Sequence, residues 1–227
     1  MLFNFRKKRS CMEREILEQS EISQRIIDAY VSSDGNISID LPQNINRIIL
    51  VASGSSYHCA RYAAELFGTI SKIEASAVYS SEFLLENTIA HDENILYIFI
   101  TQSGETTDTN SALEKAKEHG VKTLCITNKE NSTIWNASDY KIACLAGEEK
   151  SIAATKSFTS QLLCSTLLAL KFAQNNGIDV YDYVLDLKTI PSYINKTFEL
   201  KTKIKQLARF LSKFKNIIMT ADGQSYA

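Results

Sequence analysis

The sequence is poor in the residues that turn or interrupt a chain, with 8 Gly and 2 Pro among 227 residues. Average usage of roughly 7% Gly and 5% Pro would give about 27. This scarcity excludes collagen-like and Pro/Gly-rich disordered chains, and it argues against an all-β fold with many tight turns. Apolar residues make up 44% of the chain and charged residues 22%, so the chain can bury the core of an ordinary globular domain.

An excess of charge is also missing, because 25 basic residues face 26 acidic ones. This balance gives no reason to expect nucleic acid or an anionic membrane as a partner. The cysteines include no C-x-x-C pair, which indicates free thiols in a reducing cytoplasm rather than disulfides or a zinc site. They are Cys11, Cys59, Cys125, Cys144 and Cys164. The longest apolar stretch, 162–170, is far below the roughly 18 residues of a membrane span, so a soluble protein is expected.

Short apolar runs alternate with helical patterns along most of the chain. The predicted strands are residues 47–53, 73–79, 95–101, 121–127 and 140–145. The predicted helices are residues 12–31, with Ser20 as a candidate interruption, and 57–68, 81–86, 106–119, 132–137 and 157–174. Continuous apolar runs are typical of strands that are covered on both faces. The pattern therefore predicts an α/β fold, a doubly wound five-stranded parallel sheet with helices on both faces.

The end of the chain repeats its first predicted strand and loop. Residues 216–226 (NIIMTADGQSY) match residues 47–57 (RIILVASGSSY) at six of eleven positions. We interpret this match as the opening of a second copy of the same domain, and hence the chain as a piece of a two-domain protein. The predicted division is a tail or linker at 1–10, a first domain at 11–178, a helical connector at 179–214, and the first strand and loop of a truncated second domain at 215–227. Pro191 is expected to mark a break or a first turn within the connector.

Two of the scarce glycines follow predicted strands and have hydroxyl neighbours. Gly54 lies in Ser53-Gly54-Ser55-Ser56, and Gly104 lies in the loop from Thr101 to Thr106. Each loop opens a predicted helix, whose free N–H groups and positive dipole end attract anions. Neither loop contains Lys or Arg, and the chain has no P-loop or G-x-G-x-x-G motif, so we expect a phosphorylated small molecule rather than a dinucleotide. The alternative is that these hydroxyls are ordinary helix caps.

Several segments together carry a family resemblance. Residues 54–57 (GSSY), 102–109 (QSGETTDT) and 154–159 (ATKSFT) resemble G-T-S-Y, Q-S-G-E-T-A-D-T and S-T-K-A-F-T of the sugar isomerase (SIS) domain, which has a flavodoxin-like fold. Residues 12–19 (MEREILEQ) and 81–83 (SEF) are similar to further motifs. Within that family, the segments look more like the isomerase part of the glutamine-fructose-6-phosphate aminotransferases, or glucosamine-6-phosphate synthases.

The resemblance implies a set of binding residues and no metal or organic cofactor. Ser56, Gln102, Ser103 and Thr106 would hold the phosphate, and Thr101 would do the same. Ser55 would touch the sugar, Ala153 and its neighbours would line it through the backbone, and Gly54 and Gly104 would shape the loops. Glu105 is expected to hydrogen-bond within its loop rather than to act as a base.

The implied reaction converts fructose-6-phosphate and ammonia to glucosamine-6-phosphate. In the family the ammonia comes from a glutaminase domain that would precede this chain, and the catalytic glutamate, histidine and lysine lie in the second SIS domain. We therefore expect no catalytic residue here, and a chain that binds without turning over alone. His58, His91 and His119 match no catalytic position, and His119 suits a helix cap. The family also implies a homodimer.

Departures from the family pattern leave alternatives open. Lys150-Ser151 stands where the family has Ile-Gly, and Ala154 stands where it has Ser. These changes motivate a fructosamine-6-phosphate deglycase or an amino-sugar-phosphate deaminase as a second hypothesis. The missing catalytic half motivates a third, a non-catalytic module that senses a sugar phosphate.

Overall fold

The computed structural model describes residues 10–221 and residue 223 as a parallel sheet surrounded by helices. The strands are β1 (Arg47–Ala52), β2 (Glu74–Tyr79), β3 (Ile95–Thr101), β4 (Lys122–Thr127) and β5 (Tyr140–Ala143). The helices are α1 (Cys11–Tyr30), α2 (Ser55–Leu66), α3 (Ser80–Leu85), α4 (Thr107–Glu118), α5 (Thr133–Ala137), α6 (Lys156–Asn175), α7 (Tyr181–Phe198) and α8 (Lys201–Leu211). A short π-helix, Phe67–Ser71, extends α2.

The sheet has five strands in the order β2-β1-β3-β4-β5, and every described pairing is parallel. Arg47 at the start of β1 is in register with Glu74 of β2 on one side and with Ile95 of β3 on the other. This order is the flavodoxin-like one. Successive strands are added to one side of β1 and then, from β3 on, to its other side, so the strand order reverses between β1 and β3. The predicted doubly wound five-stranded sheet is therefore confirmed, and its switch point lies at the carboxyl ends of β1 and β3.

Two hydrophobic layers cover the two faces of the sheet. Along β3 the side chains alternate, because Ile98 packs into the layer beneath α1, α2 and α6 while Phe99 packs with Phe83 and Leu113 beneath α3 and α4. All residues of β3 are buried. Burying one such side chain contributes about 1.5–3 kcal/mol, so these continuous apolar strands hold the sheet between its helices.

The first and seventh helices differ from their sequence-based predictions. The structure shows α1 as continuous through Ser20, whose buried hydroxyl donates a 2.8 Å hydrogen bond to the carbonyl of Pro191. Pro191 lies inside α7 and does not end it. The interruption predicted at Ser20 and the break predicted at Pro191 are both wrong, since packing of α1 against α7 overrides the weak local preference of each residue.

The C-terminal part divides differently from the predicted connector. Val184 and Leu187 of α7 are buried in the core layer that contains α1, so α7 packs on the first domain. By contrast, α8 has no buried residue. The strand predicted at 216–220 is not formed, because no described strand lies alongside to accept its hydrogen bonds. Residues 1–9 of the predicted tail, and 222 and 224–227 of the predicted loop, lie outside the described residues.

Two kinds of feature are absent from the described residues. None of the helices between residues 10 and 221 has both the length and the apolar composition needed to cross a membrane. No group of three or more His, Cys, Asp or Glu side chains in the same part of the chain could hold a metal ion.

Candidate functional site

A cavity of about 220 Å³ lies at the carboxyl edge of the sheet, where β1 and β3 end. Two sides of it are distinct. The first, which we call the hydroxyl wall, comprises Ser55, Ser56, Gln102, Ser103 and Thr106. The second, which we call the anchored wall, comprises Glu149, Ser151, Ile152, Ala154 and Ser157. Ser53, Ile100, Thr101, Thr109 and Gln161 complete the lining. Ligands of open parallel sheets bind at this switch point.

The loop after β1 supplies the start of α2 to the hydroxyl wall. Gly54 occupies the N-cap position with a φ of 56°, in the left-handed region that favours glycine. It has no side chain with which to cap the helix, so the first N–H groups of α2 stay available to an anion. The side chains of Ser55 and Ser56 line the cavity at that point and make no hydrogen bond to other described residues.

The loop after β3 is held by a short network of its own. The hydroxyls of Thr101 and Thr106 lie 2.8 Å apart, and the N–H of Glu105 donates to the Ser103 hydroxyl at 3.1 Å. Gly104 has a φ of 69° and packs directly against Ser132. A Cβ atom at Gly104 would lie 2.0 Å from the Ser132 hydroxyl oxygen, so no other residue fits there without movement. These contacts place Gln102, Ser103 and Thr106 at the cavity.

The carboxylate of Glu105, in the same loop, accepts hydrogen bonds from the start of α5. It accepts from the Thr133 hydroxyl at 2.7 Å and from the Thr133 N–H at 3.1 Å. These two hydrogen bonds, the one from the side chain first, lower the pKa of Glu105 below its ordinary value. The predicted hydrogen bonding within its own loop is made by the Glu105 N–H alone, since the carboxylate bonds to α5 instead and does not line the cavity.

A carboxylate organises the anchored wall from within. Glu149 accepts from the N–H and the hydroxyl of Thr155, each at 2.9 Å. It also accepts from the N–H of Ser157 at 3.3 Å and from the Ser157 hydroxyl. Helix α6 has no side-chain cap of its own at Thr155, so Glu149 supplies the negative acceptor that a helix N-terminus favours.

Helix α1 supports the same wall from outside. Glu15 is buried and accepts from the N–H groups of Lys150 at 2.6 Å and Ser151 at 3.2 Å. Glu18 pairs with the buried ammonium of Lys156 at 2.6 Å, and the Thr159 hydroxyl donates to Gln19 at 2.5 Å. The segment 12–19 therefore positions the loop that leads into α6, which explains why polar residues recur along one side of α1.

The structure brings most of the predicted binding residues together. Six of them line the cavity: Ser55, Ser56, Thr101, Gln102, Ser103 and Thr106. Gly54, Gly104 and Ala153 do not line it. The two glycines act through backbone shape, as their φ angles show, and Ile152 and Ala154 on either side of Ala153 are the ones that reach the cavity.

Sequence reasoning missed several lining residues. The sequence motifs assign no individual role to four lining residues, Thr109, Glu149, Ser157 and Gln161. Ser157 and Gln161 are four residues apart on α6, a spacing that places both on one face of a helix. That spacing, after the T-K-S-F-T stretch, is the signal that could have found Gln161.

The basic groups and histidines lie outside the cavity lining. No Lys or Arg is among the lining residues, which are mainly hydroxyls, amides and apolar groups. The ammonium of Lys156 points to Glu18 instead. His58, His91 and His119 do not line the cavity, and the ring Nδ1 of His119 lies 2.9 Å from the carbonyl of Lys115 at the end of α4. The capping role predicted for His119 is therefore confirmed.

Comparisons with known proteins agree with this geometry. The model of the SIS domain family matches residues 43–171, more than half of the chain. The chain is 36% identical over 203 residues to the glutamine--fructose-6-phosphate aminotransferase [isomerizing] of Campylobacter jejuni, and the match covers 87% of this chain and 34% of that protein. It is 32% identical over 229 residues to the enzyme of the same name from Bartonella quintana, covering 96% of this chain and 37% of that one.

Solved structures extend the likeness to the fold. The C-terminal domain of glucosamine-fructose-6-phosphate aminotransferase from Francisella tularensis superposes with a TM-score of 0.91 at 30% identity, over 97% of this chain and 64% of that one. Glucosamine-6-phosphate deaminase from Thermotoga maritima superposes with a TM-score of 0.68 at 23% identity, over 84% of this chain and 56% of that one. At this identity the likeness shows the fold alone. The chain spans about a third of the length of the two aminotransferases compared above. The family match and the flavodoxin-like sheet together show that this chain belongs to the SIS domain family.

Proposed function

We propose that the cavity binds a sugar phosphate, with the phosphate at the N-termini of α2 and α4. The observation that carries this proposal is the hydroxyl wall, in which the loops after β1 and β3 converge on one cavity. Helix N-termini attract anions through free N–H groups and the helix dipole, and serine and threonine hydroxyls add neutral donors. Because the lining contains no Lys or Arg, the site suits a phosphate held by dipoles and hydroxyls.

Within this proposal the residues divide by position. Ser56, Gln102, Ser103 and Thr106 hold the phosphate, and Ser55 contacts the sugar. Thr101 acts mainly by fixing Thr106, because the two hydroxyls are hydrogen-bonded to one another. The role first expected of Ala153 passes to its neighbours Ile152 and Ala154, which line the cavity.

The reaction we propose is the one that the aminotransferase relatives' names describe, the conversion of fructose-6-phosphate to glucosamine-6-phosphate with ammonia. This chain would supply the phosphosugar-binding half of the isomerase and would bind without turning over alone. Support comes from the likeness to the Francisella tularensis domain. A glutaminase domain in the same protein would supply the ammonia.

Isothermal titration calorimetry with fructose-6-phosphate tests the binding proposal. We expect Ser103→Ala to weaken binding about tenfold or more, since a hydrogen bond to a charged group is worth about 1.5–3 kcal/mol. Ser192→Ala on the exposed side of α7 is the matched control and should bind like the wild type. Absence of binding heat at millimolar ligand, or equal affinity of the Ser103 variant and the wild type, would contradict the proposal.

A second candidate rests on the anchored wall. Ser151 and Ala154 both line the cavity, and both depart from the family pattern. A deglycase of fructosamine-6-phosphates or a deaminase of amino-sugar phosphates would use the same phosphate site with a different sugar end. A ligand panel separates the candidates, because preference for a glycated amino acid 6-phosphate would favour the deglycase. Binding without activity in the full-length protein would favour a non-catalytic sensor.

We also propose that the chain forms a homodimer in the cytoplasm. Ile204, Leu207 and Phe210 of α8 are each more than half exposed, and a contiguous apolar face of this kind favours association. All five cysteines are free and four are buried, which fits a reducing compartment. Light scattering coupled to size-exclusion chromatography should give twice the mass of one chain, and a monomer would contradict the dimer.

A further inference from the structure

Two lining residues, Ser151 and Gln161, each have a polar side-chain atom without a hydrogen-bond partner among the described residues, and of the two Gln161 is the one whose whole side chain is buried. Gln161, on the second turn of α6, is 2% exposed and lines the cavity. Its side-chain Nε2 is buried and has no hydrogen-bond partner among the described residues. Leaving a buried amide donor without an acceptor costs about 1–3 kcal/mol. A residue kept at that cost beside a cavity is a candidate ligand contact.

Contacts between α6 and α2 show which end of the cavity Gln161 faces. The thiol of Cys59 lies 3.4 Å from the Ser165 hydroxyl, and the Tyr62 hydroxyl lies 3.1 Å from that of Thr166. The numbers rise together in the two pairs, so the helices run side by side in the same direction. One helical turn before Ser165 is Gln161, and one turn before Cys59 is Ser55. Gln161 is therefore level with the first turn of α2, at the proposed phosphate end.

We infer that the Gln161 amide donates a hydrogen bond to a phosphate oxygen of the bound sugar phosphate, from the side opposite the loop after β3. This inference rests on the proposed function, since it assigns a further contact within the same site. A neutral donor from α6 agrees with the other phosphate contacts, which are hydroxyls, an amide and N–H groups. It also gives a role to a buried amide in the polar first turns of α6, where Lys156, Ser157 and Ser160 are buried too.

The test combines affinity and stability of the full 227-residue chain. Gln161→Met keeps the length of the side chain and removes the donor, Gln161→Glu keeps the shape and adds a negative charge, and Gln206→Met on the exposed face of α8 is the control. The probes are fructose-6-phosphate and inorganic phosphate, titrated by calorimetry. We expect Gln161→Met to lower the affinity for both probes about 5- to 10-fold, and Gln161→Glu to lower both affinities more strongly.

The ligand-free melting temperature separates a ligand contact from a structural role. Because Nε2 has no protein partner, we expect Gln161→Met to melt at or above the wild-type temperature while it binds more weakly. A lower melting temperature, unchanged affinity for both probes, or loss confined to fructose-6-phosphate would each overturn the inference. If the wild type bound neither probe, the proposed function would be contradicted together with this inference. Wild-type binding with an unaffected Gln161 variant would overturn this inference alone.

Discussion

Two serines of the hydroxyl wall, Ser55 and Ser56, and one of the anchored wall, Ser157, face the same cavity but use their hydroxyls differently. The hydroxyl wall presents the Ser55 and Ser56 side chains, which make no hydrogen bonds to other described residues. In the anchored wall, Glu149 accepts four hydrogen bonds from Thr155 and Ser157. The difference teaches that a polar residue in a cavity is not by itself a ligand contact. What distinguishes Ser55 and Ser56 from Ser157 is whether the protein already satisfies the hydroxyl.

The largest effect is expected from Gly104→Ala, a change that would move the loop of the hydroxyl wall itself. In Gly104→Ala the new Cβ would lie 2.0 Å from the Ser132 hydroxyl oxygen and 2.4 Å from the Ser132 Cβ, at a positive φ. Overpacking costs about 1–3 kcal/mol and a left-handed non-glycine residue about 1–2 kcal/mol, so we expect a loss of about 3 kcal/mol in unfolding free energy. That loss corresponds to a fall in Tm of roughly 10 °C, measured by thermal denaturation.

Gly54→Ala is the matched control for this prediction. Gly54 also has a positive φ, but a Cβ there would meet nothing within 4 Å, so only the backbone term of about 1–2 kcal/mol applies. Adding Ser132→Gly to Gly104→Ala should restore part of the lost stability, because it removes the side chain that the new Cβ meets. Equal costs for the Gly54 and Gly104 variants would show that close packing at Ser132 is not what requires glycine.

The second prediction removes the organiser of the anchored wall. Glu149→Ala leaves the N–H groups of Thr155 and Ser157 without their acceptor. Since charge-assisted hydrogen bonds and helix caps each contribute about 1–2 kcal/mol, we expect a loss of about 2 kcal/mol, measured by urea denaturation. Affinity for fructose-6-phosphate should fall less than in Ser103→Ala, because Glu149 positions a wall rather than holding the phosphate.

Glu148→Ala is the control for the Glu149 variant. The Glu148 carboxylate pairs with Lys150 at 3.2 Å on the surface, with both side chains more than half exposed. Such exposed pairs contribute about 0–1 kcal/mol. If Glu148→Ala and Glu149→Ala lowered the unfolding free energy equally, the hydrogen bonds of Glu149 would not be what anchors the wall.

The fold was largely predictable because its signals are local. The strand β3 was predicted over the residues that form it, and the other strands within one or two residues of their ends, since continuous apolar runs are what a covered parallel strand requires. The loops that form the hydroxyl wall follow from strand order, because Ser55, Ser56 and Ser103 come directly after strands whose ends must meet. Six of the nine predicted site residues accordingly line the cavity.

What escaped prediction depends on contacts between distant parts of the chain. Glu15 accepts from Lys150, 135 positions away, and no local pattern marks either partner. Gln161 is one of several polar residues in the first half of α6, and nothing local singles it out until α6 is placed beside α2. The predicted strand at 216–220 failed for a related reason, because a strand forms only where a neighbour pairs with it, and the described residues provide none. The repeat of residues 47–57 stays a prediction.

The smallest effect is expected in the pH dependence of stability, through the carboxylate of Glu105 in the loop after β3. Hydrogen bonds from the Thr133 side chain and N–H lower the pKa of Glu105, so the folded chain favours its charged form. This contribution is complete above the ordinary glutamate pKa and is lost as the pH falls through the lowered one. We expect the Tm of Glu105→Gln to lie below that of the wild type above about pH 5, and the two curves to converge in acid. Glu114→Gln, which removes a charge from the exposed face of α4, should follow the wild type throughout. Curves for wild type and Glu105→Gln that stayed parallel across the acid range would show that the carboxylate charge does not hold α5 to the loop after β3.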